Sequence, residues 1–118
     1  MEVTLKDLWG AREIFSRMSG MKFKAKTSYK LMKMFDQANH ELEPFGKVRR
    51  ELFEKYGEER DGMFVVKPEN MEEFTKEIEE LASQKVDLKF TVAMDEIEDA
   101  DLTPSEMLDI EFLFATPQ

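Results

Sequence analysis

"LMKMFDQANHELEPFGKVRRELFEKYG", residues 31–57, carries Leu31, Phe35, Ala38, Leu42, Phe45, Leu52 and Tyr56 at alternating steps of four and three, with Val48 or Arg49 in the one missing place. That spacing lines apolar side chains along one side of a helix and makes a seam that wants a partner. Pro44 and Gly46 fall inside the run. Proline removes a helical hydrogen bond and crowds the preceding turn. The stretch therefore reads as a kinked helix, or two nearly collinear ones, over 27–57, about 45 Å long if straight. Its partner is either the rest of the chain or a second copy. The first is preferred, because a chain of 118 residues needs its longest helix for its own core.

The flanks supply the other elements. Upstream, Thr4 is a good N-cap with Asp7 at the third helical position. Leu5, Leu8, Trp9, Phe15 and Met18 then predict a first helix over 5–18, ended by Ser19-Gly20 and weakened slightly by Gly10. Between the helices, Lys22, Lys24 and Lys26 alternate with Met21, Phe23 and Ala25. This is either a short extended segment with lysines blunting its open side or a loop. Lys30 and Lys33 continue the basic run, a docking patch for an acidic partner or a solvated face.

Downstream, Gly57 ends the long helix, Asp61-Gly62 marks a turn, and "MFVV" (63–66) reads as a short strand. A Glu-rich helix follows, begun either by Asn70 with Glu73 as a capping box or by Pro68 at the first position. Met71, Phe74, Ile78 and Leu81 form its buried stripe. "VDLKFTV" (86–92) alternates cleanly, with Val86, Leu88, Phe90 and Val92 on one side, and is the obvious antiparallel partner for 63–66. A last helix begins at Thr103, with Pro104 at its first position and Glu106 completing a capping box. Its apolar residues, Met107 to Phe114, predict docking on the core or on another subunit.

Charge is unevenly distributed. Residues 1–60 hold 13 Lys/Arg and 10 Asp/Glu, whereas residues 61–118 hold 4 and 16, within a total of −9. A general nucleic-acid binder needs the opposite balance, so direct nucleic-acid binding is not expected. The stretch 94–112 has eight carboxylates and no base. In an EF-hand frame started at Asp95, Asp99, Asp101 and Glu106 fall on ligand positions. Ile97 and Ala100, however, stand where an oxygen ligand and a glycine are required. Glu98, Asp99 and Asp101 are the better candidates for a partner-binding surface, either as phosphate mimics or as an ordinary solvated face.

Other chemistries find little support. There is no cysteine, and His40 is the single histidine, so neither a triad nor a zinc site is expected. The five glycines are dispersed and form no phosphate loop. No carboxylate pair is singled out for hydrolysis. No apolar run approaches the ~18 residues of a bilayer span, and the N-terminus lacks signal-peptide features. Among nine methionines, Met32 and Met34 lie off or beside the seam and are candidates for an exposed apolar contact.

One combination is familiar. Leu42-Glu43-Pro44, Glu51-Leu52, Lys55-Tyr56-Gly57, the Asp-Gly turn and short strand, Glu69-Asn70, the Glu-rich helix and the "LTPSEMLDIEFL" ending resemble small uncharacterised proteins of tailed bacteriophages and prophages. The resemblance covers roughly residues 29–114. It implies a phage-encoded protein made in a bacterial host, without catalytic residues, serving virion assembly or host takeover.

The expectation is a single α+β domain over 1–118: a long kinked helix, three shorter helices and a two- or three-stranded antiparallel sheet. The expected function is non-enzymatic protein–protein interaction, as a structural or assembly factor of the virion. The alternative is an acidic inhibitor of a host nucleic-acid enzyme or defence complex. The expected contact residues are Glu98, Asp99, Asp101, Met32 and Met34. No cofactor, metal or membrane is expected, and homo-oligomerisation through the long helix is possible. The expected location is the host cytoplasm or the virion.

Overall fold

Thr4 turns the chain from strand to helix. In the computed structural model, which describes residues 1–114, β1 (Glu2–Thr4) runs directly into α1 (Leu5–Met18). The Thr4 hydroxyl accepts the Asp7 N–H at 3.1 Å, and the Asp7 carboxylate accepts the Thr4 N–H at 3.1 Å. This reciprocal box satisfies two backbone donors that a helix start leaves unpaired. α1 buries Leu5, Leu8, Ala11, Ile14, Phe15 and Met18, a stripe at helical spacing.

α2 (Ala25–Tyr56) is a single helix of 32 residues. The interruption expected at Pro44 does not divide it. Pro44 and His40, whose carbonyl the missing N–H would have bonded, both lie on the exposed side, where water can substitute. Leu31, Phe35, Ala38, Leu42 and Phe45 are buried. They face α1 in antiparallel order: Phe15 stacks on Phe35 at 4.9 Å, and Trp9 meets Phe45 edge-on at 5.2 Å. The seam is thus consumed within the chain. Met34 belongs to it and is fully buried, which corrects its reading as an exposed contact. A stripe on a globular helix includes i+3 as well as i+4, so Met34 sits on the Leu31 side.

The sheet arrangement also differs from expectation. β2 (Gly57–Arg60) and β3 (Met63–Val66) pair with each other, while β4 (Lys85–Asp87) pairs with β1. Both pairs are antiparallel, with Glu58 opposite Val65 and Val3 opposite Val86. Local closure explains the first pair. Asp61 and Gly62 both have positive φ, 51° and 79°, as a two-residue type I′ turn requires, so β3 finds β2 at minimal loop cost.

Gly57 makes the helix-to-strand junction. A Cβ there would lie 2.5 Å from the Phe53 carbonyl oxygen and 2.9 Å from that of Val65.

β4 is shorter than the alternation over 86–92 suggested, because β1 runs out. The Leu88 N–H still reaches the Met1 carbonyl at 2.7 Å. Beyond it, Gln37 of α2 serves as a substitute strand: its amide donates to the Asp87 carbonyl at 2.7 Å and accepts from the Lys89 N–H at 2.9 Å. The alternation survives as packing, with Val86, Leu88 and Val92 buried and Phe90 half-buried.

A 3₁₀ turn at Pro68–Asn70 leads into α3 (Met71–Ala82). Pro68 opens it as one of the two readings had it. Asn70 stands at the N-cap position of α3, as the other reading had it, but its side chain makes no capping bond; its amide donates instead to the Tyr56 carbonyl at 3.1 Å, as does the Lys67 N–H at 3.2 Å. The end of α2 is thereby tied to the start of α3. In the stripe of α3, Phe74 is buried, Ile78 and Leu81 are half-buried and Met71 is exposed.

α4 (Pro104–Ile110) starts with the expected Thr103–Glu106 box and packs on α1 of its own chain, burying Ile110; the 3₁₀ turn that follows it, Glu111–Phe114, buries Leu113. Residues 22–24 take the loop alternative.

Two apolar cores result. The main one joins α1, α2 as far as Phe45, β1, β4 and α4; a small one holds Tyr56, Val66 and Phe74 at the far end of α2. The radius of gyration, 16.5 Å, exceeds the roughly 13.5 Å of a compact chain of this length, because α2 overshoots the main core.

Candidate docking groove

Where α2 leaves the main core its seam changes character. The four-three spacing runs from Phe45 to Leu52 through Arg49, which is half-buried, while Val48 is exposed. The Arg49 guanidinium lies 5.1 Å from the centroid of the Trp9 ring and 4.8 Å from that of Phe53. Arg12 lies over the same Trp9 ring at 3.9 Å. The indole packs over Gly46, with its Cζ3 at ordinary contact distance, 3.5 Å, from where a Cβ would stand. A guanidinium held against aromatic rings is attracted to them and keeps in-plane N–H donors for a second partner. Among the described residues, Lys47, Arg49 and Arg50 enter no salt bridge.

These cations border an open groove of about 810 Å³ between α2 and the hairpin. Leu42, Lys47, Arg49, Arg50 and Phe53 line it from the helix, Met63 and Phe64 from β3, and Trp9 and Gly46 at its inner end; Glu43 is the acid in this lining. A second groove, of about 500 Å³, begins at the same Trp9–Arg49 pair and is lined in part by Lys6, Phe45 and Ile78.

Met63 and Phe64 point to opposite faces of their strand, yet both line the groove, and no β2 residue does. The groove therefore meets the outer edge of β3 at its turn-side half. The hairpin register makes Arg60 and Met63 the hydrogen-bonded pair next to the turn. Phe64 is then in a non-hydrogen-bonded pair, so its N–H and C=O point outward to the open edge.

β2 carries Glu58, Glu59 and Arg60; β3 carries no charge, proline or bulge. Unpaired edges are normally guarded by such features. Met63 is 70% exposed, Phe64 41% and Val65 45%.

The residues nominated from sequence lie elsewhere. Glu98, Asp99 and Asp101 are exposed. Glu98 and Asp99 share a cleft of about 390 Å³ with Asp95, Glu96, Phe23, Lys24 and Thr27. Met32 is exposed beside a separate groove of about 350 Å³ with Met18, Phe23 and Phe35. Met34, in the core, joins neither.

The acidic stretch and the basic run turn out to be partly each other's partners. Lys30 contacts Glu96 at 3.0 Å, and Arg17 forks onto Glu106 while donating to the Asp101 carbonyl at 2.7 Å. The Ala93 N–H and then Lys30 hold the Glu96 carboxyl below the usual range; the Thr103 N–H and then Arg17 do the same for Glu106.

His40 is exposed, and its pKa is raised by hydrogen bonding to the Asp36 backbone and by the Asp36 carboxylate. Among the described residues no three His, Asp or Glu side chains gather as metal ligands, and no helix is long and apolar enough to cross a membrane.

Sequence reading missed the Trp9–Arg49–Phe64 groove. The one available signal was the undecided seam place at Val48 or Arg49, beside a glycine. No protein-family model, curated protein or solved structure matches the chain.

Proposed function

We propose that this chain is a non-enzymatic protein-interaction module that engages a partner protein through the hairpin end of α2. The observation that carries this reading is the uncharged, unguarded edge of β3 running beside a groove lined by cations and aromatic rings. Main-chain pairing along an edge supplies affinity, and side-chain pockets beside it supply selection. The resemblance to tailed-phage proteins fits a virion structural or assembly factor acting in a bacterial host.

The test compares capture of phage or host proteins by the parent chain and by a Met63→Ser, Phe64→Ser, Val65→Thr variant. Loss of the captured partner in the folded variant is expected. Equal capture by both contradicts the reading.

A second reading is favoured by the exposure of Glu98, Asp99 and Asp101, the first two of which line one cleft. In it the acidic half inhibits a host nucleic-acid enzyme or defence complex by standing in for phosphates. It predicts capture that weakens steeply with salt and is abolished by Glu98→Lys, Asp99→Lys and Asp101→Lys together. Unchanged capture by that variant removes it.

A further inference from the structure

We infer that the groove along β3 receives an extended acidic–apolar segment of a partner protein, in which carboxylates flank an aromatic or branched aliphatic side chain. This deepens the proposed function and rests on it. Charge complementarity identifies the occupant. The protein carries nine more acids than bases, yet its groove sets Lys47, Arg49 and Arg50 against the single acid Glu43.

Arg49 is the most prepared of the three. Its guanidinium is held near Trp9 and Phe53, so the orientation a carboxylate needs is largely preset. A planar fork of N–H donors matches a carboxylate in two parallel hydrogen bonds.

The shape is that of an extended chain. The helix wall from Leu42 to Phe53 rises about 17 Å, enough for roughly five residues of strand. The outward N–H and C=O of Phe64 offer the main-chain pair for such a strand. Phe53, Met63 and Phe64 supply the apolar floor for its middle side chain.

A polynucleotide is the weaker fit. The acids Glu51, Glu54, Glu58 and Glu59 neighbour the groove residues in sequence, and the chain's net charge is −9, so a polyanion extending past the groove meets repulsion. A short peptide can match its few charges to Lys47, Arg49 and Arg50 without extending past the groove.

Trp9 is the chain's only tryptophan and lies at the inner end of the groove, so its fluorescence reports occupancy. The probe is a synthetic peptide of about nine residues alternating Asp or Glu with Leu, Phe and Val. The controls are the same peptide with Lys in place of the acids and an oligothymidylate of about ten nucleotides. The expected result is a saturable change in Trp9 emission with the acidic peptide alone. Lys47→Glu with Arg50→Glu should weaken it at least roughly tenfold, with an unchanged melting curve.

Binding of the lysine peptide as tightly, or of the oligonucleotide in preference, overturns the inference. So does an unaltered affinity in the double variant. Concentration-dependent self-association that fills the groove, seen by sedimentation and lost in the same variant, also overturns it by making a second copy the occupant. If no probe binds while partner capture still depends on Met63, Phe64 and Val65, the partner chemistry fails and the module reading stands. If that dependence is absent too, both fail.

Discussion

Gly57 shows how much one atom can matter. A Cβ at that position would meet two backbone oxygens, neither of which can swing aside as a side chain would. Gly57→Ala should therefore destabilise the protein by about 1–3 kcal/mol, the usual cost of overpacking. Denaturant unfolding checks this, and the loss should be accompanied by weaker protection of the hairpin. Gly10 is the opposite case: it is exposed inside α1, with nothing within 4 Å of its would-be Cβ. Gly10→Ala should add about 1 kcal/mol by the same assay. Leu42 lies in the α1–α2 seam and is 7% exposed. Leu42→Asp should cost roughly 4 kcal/mol or more, through lost burial and an uncompensated charge. An unchanged melting temperature would remove the seam from the core.

At the scale of elements, the carboxylates of residues 94–106 work as latches before they are available as a surface. Glu96 ties its segment to Lys30 of α2, and Glu106 ties α4 to Arg17 of α1. Both carboxyls are depressed in the folded chain. Their contribution is therefore complete above the unfolded glutamate value, about 4.3, and is lost as pH falls through the lower folded values. Asp87, depressed by Lys89 and then by the N-terminal amine, titrates in the same direction. His40, being raised, contributes in full below its unfolded value, about 6.5, and that contribution fades as pH rises from there through the higher folded one. Glu96→Gln with Glu106→Gln should flatten the acid limb of a stability–pH curve, measured by denaturant midpoints from neutral pH to below about 4. An acid limb of undiminished slope would show that these two residues latch nothing.

Helix ends were legible because their signals are local. Thr4, Thr103 and Gly57 each act on groups within a few residues, so α1, α4 and the end of α2 fell where the sequence put them. Strand pairing was not legible, because it depends on which partner is near. The three-residue β1 has one buried residue, Val3, too few to show alternation. The sequence of 86–92 alternates whether its neighbour is β1, as at Val86, or a Gln37 side chain, as at Lys89. Met34 was misread because a seam counted by fours and threes is narrower than the stripe a globular helix buries. The groove was illegible because Trp9, Arg49 and Phe64 come from three elements and meet only after folding.

The molecule as a whole measures 50 × 34 × 25 Å. Its length comes from α2, which is built into the main core as far as Phe45 and carries the small core and hairpin beyond it. The groove's inner wall, at Leu42 and Trp9, belongs to the main core, but its exposed residues Met63, Phe64, Lys47 and Arg50 are members of neither core. Changes at Met63, Phe64, Lys47 and Arg50 should consequently alter binding while shifting stability by no more than about 0.5 kcal/mol each. Comparing thermal melts with partner capture across these variants checks that separation. The most direct test of docking at this end is hydrogen exchange of the full chain, alone and with its captured partner. Slowed exchange confined to residues 42–66 is the predicted result. Protection that appears instead over 94–111, or in neither region, contradicts it.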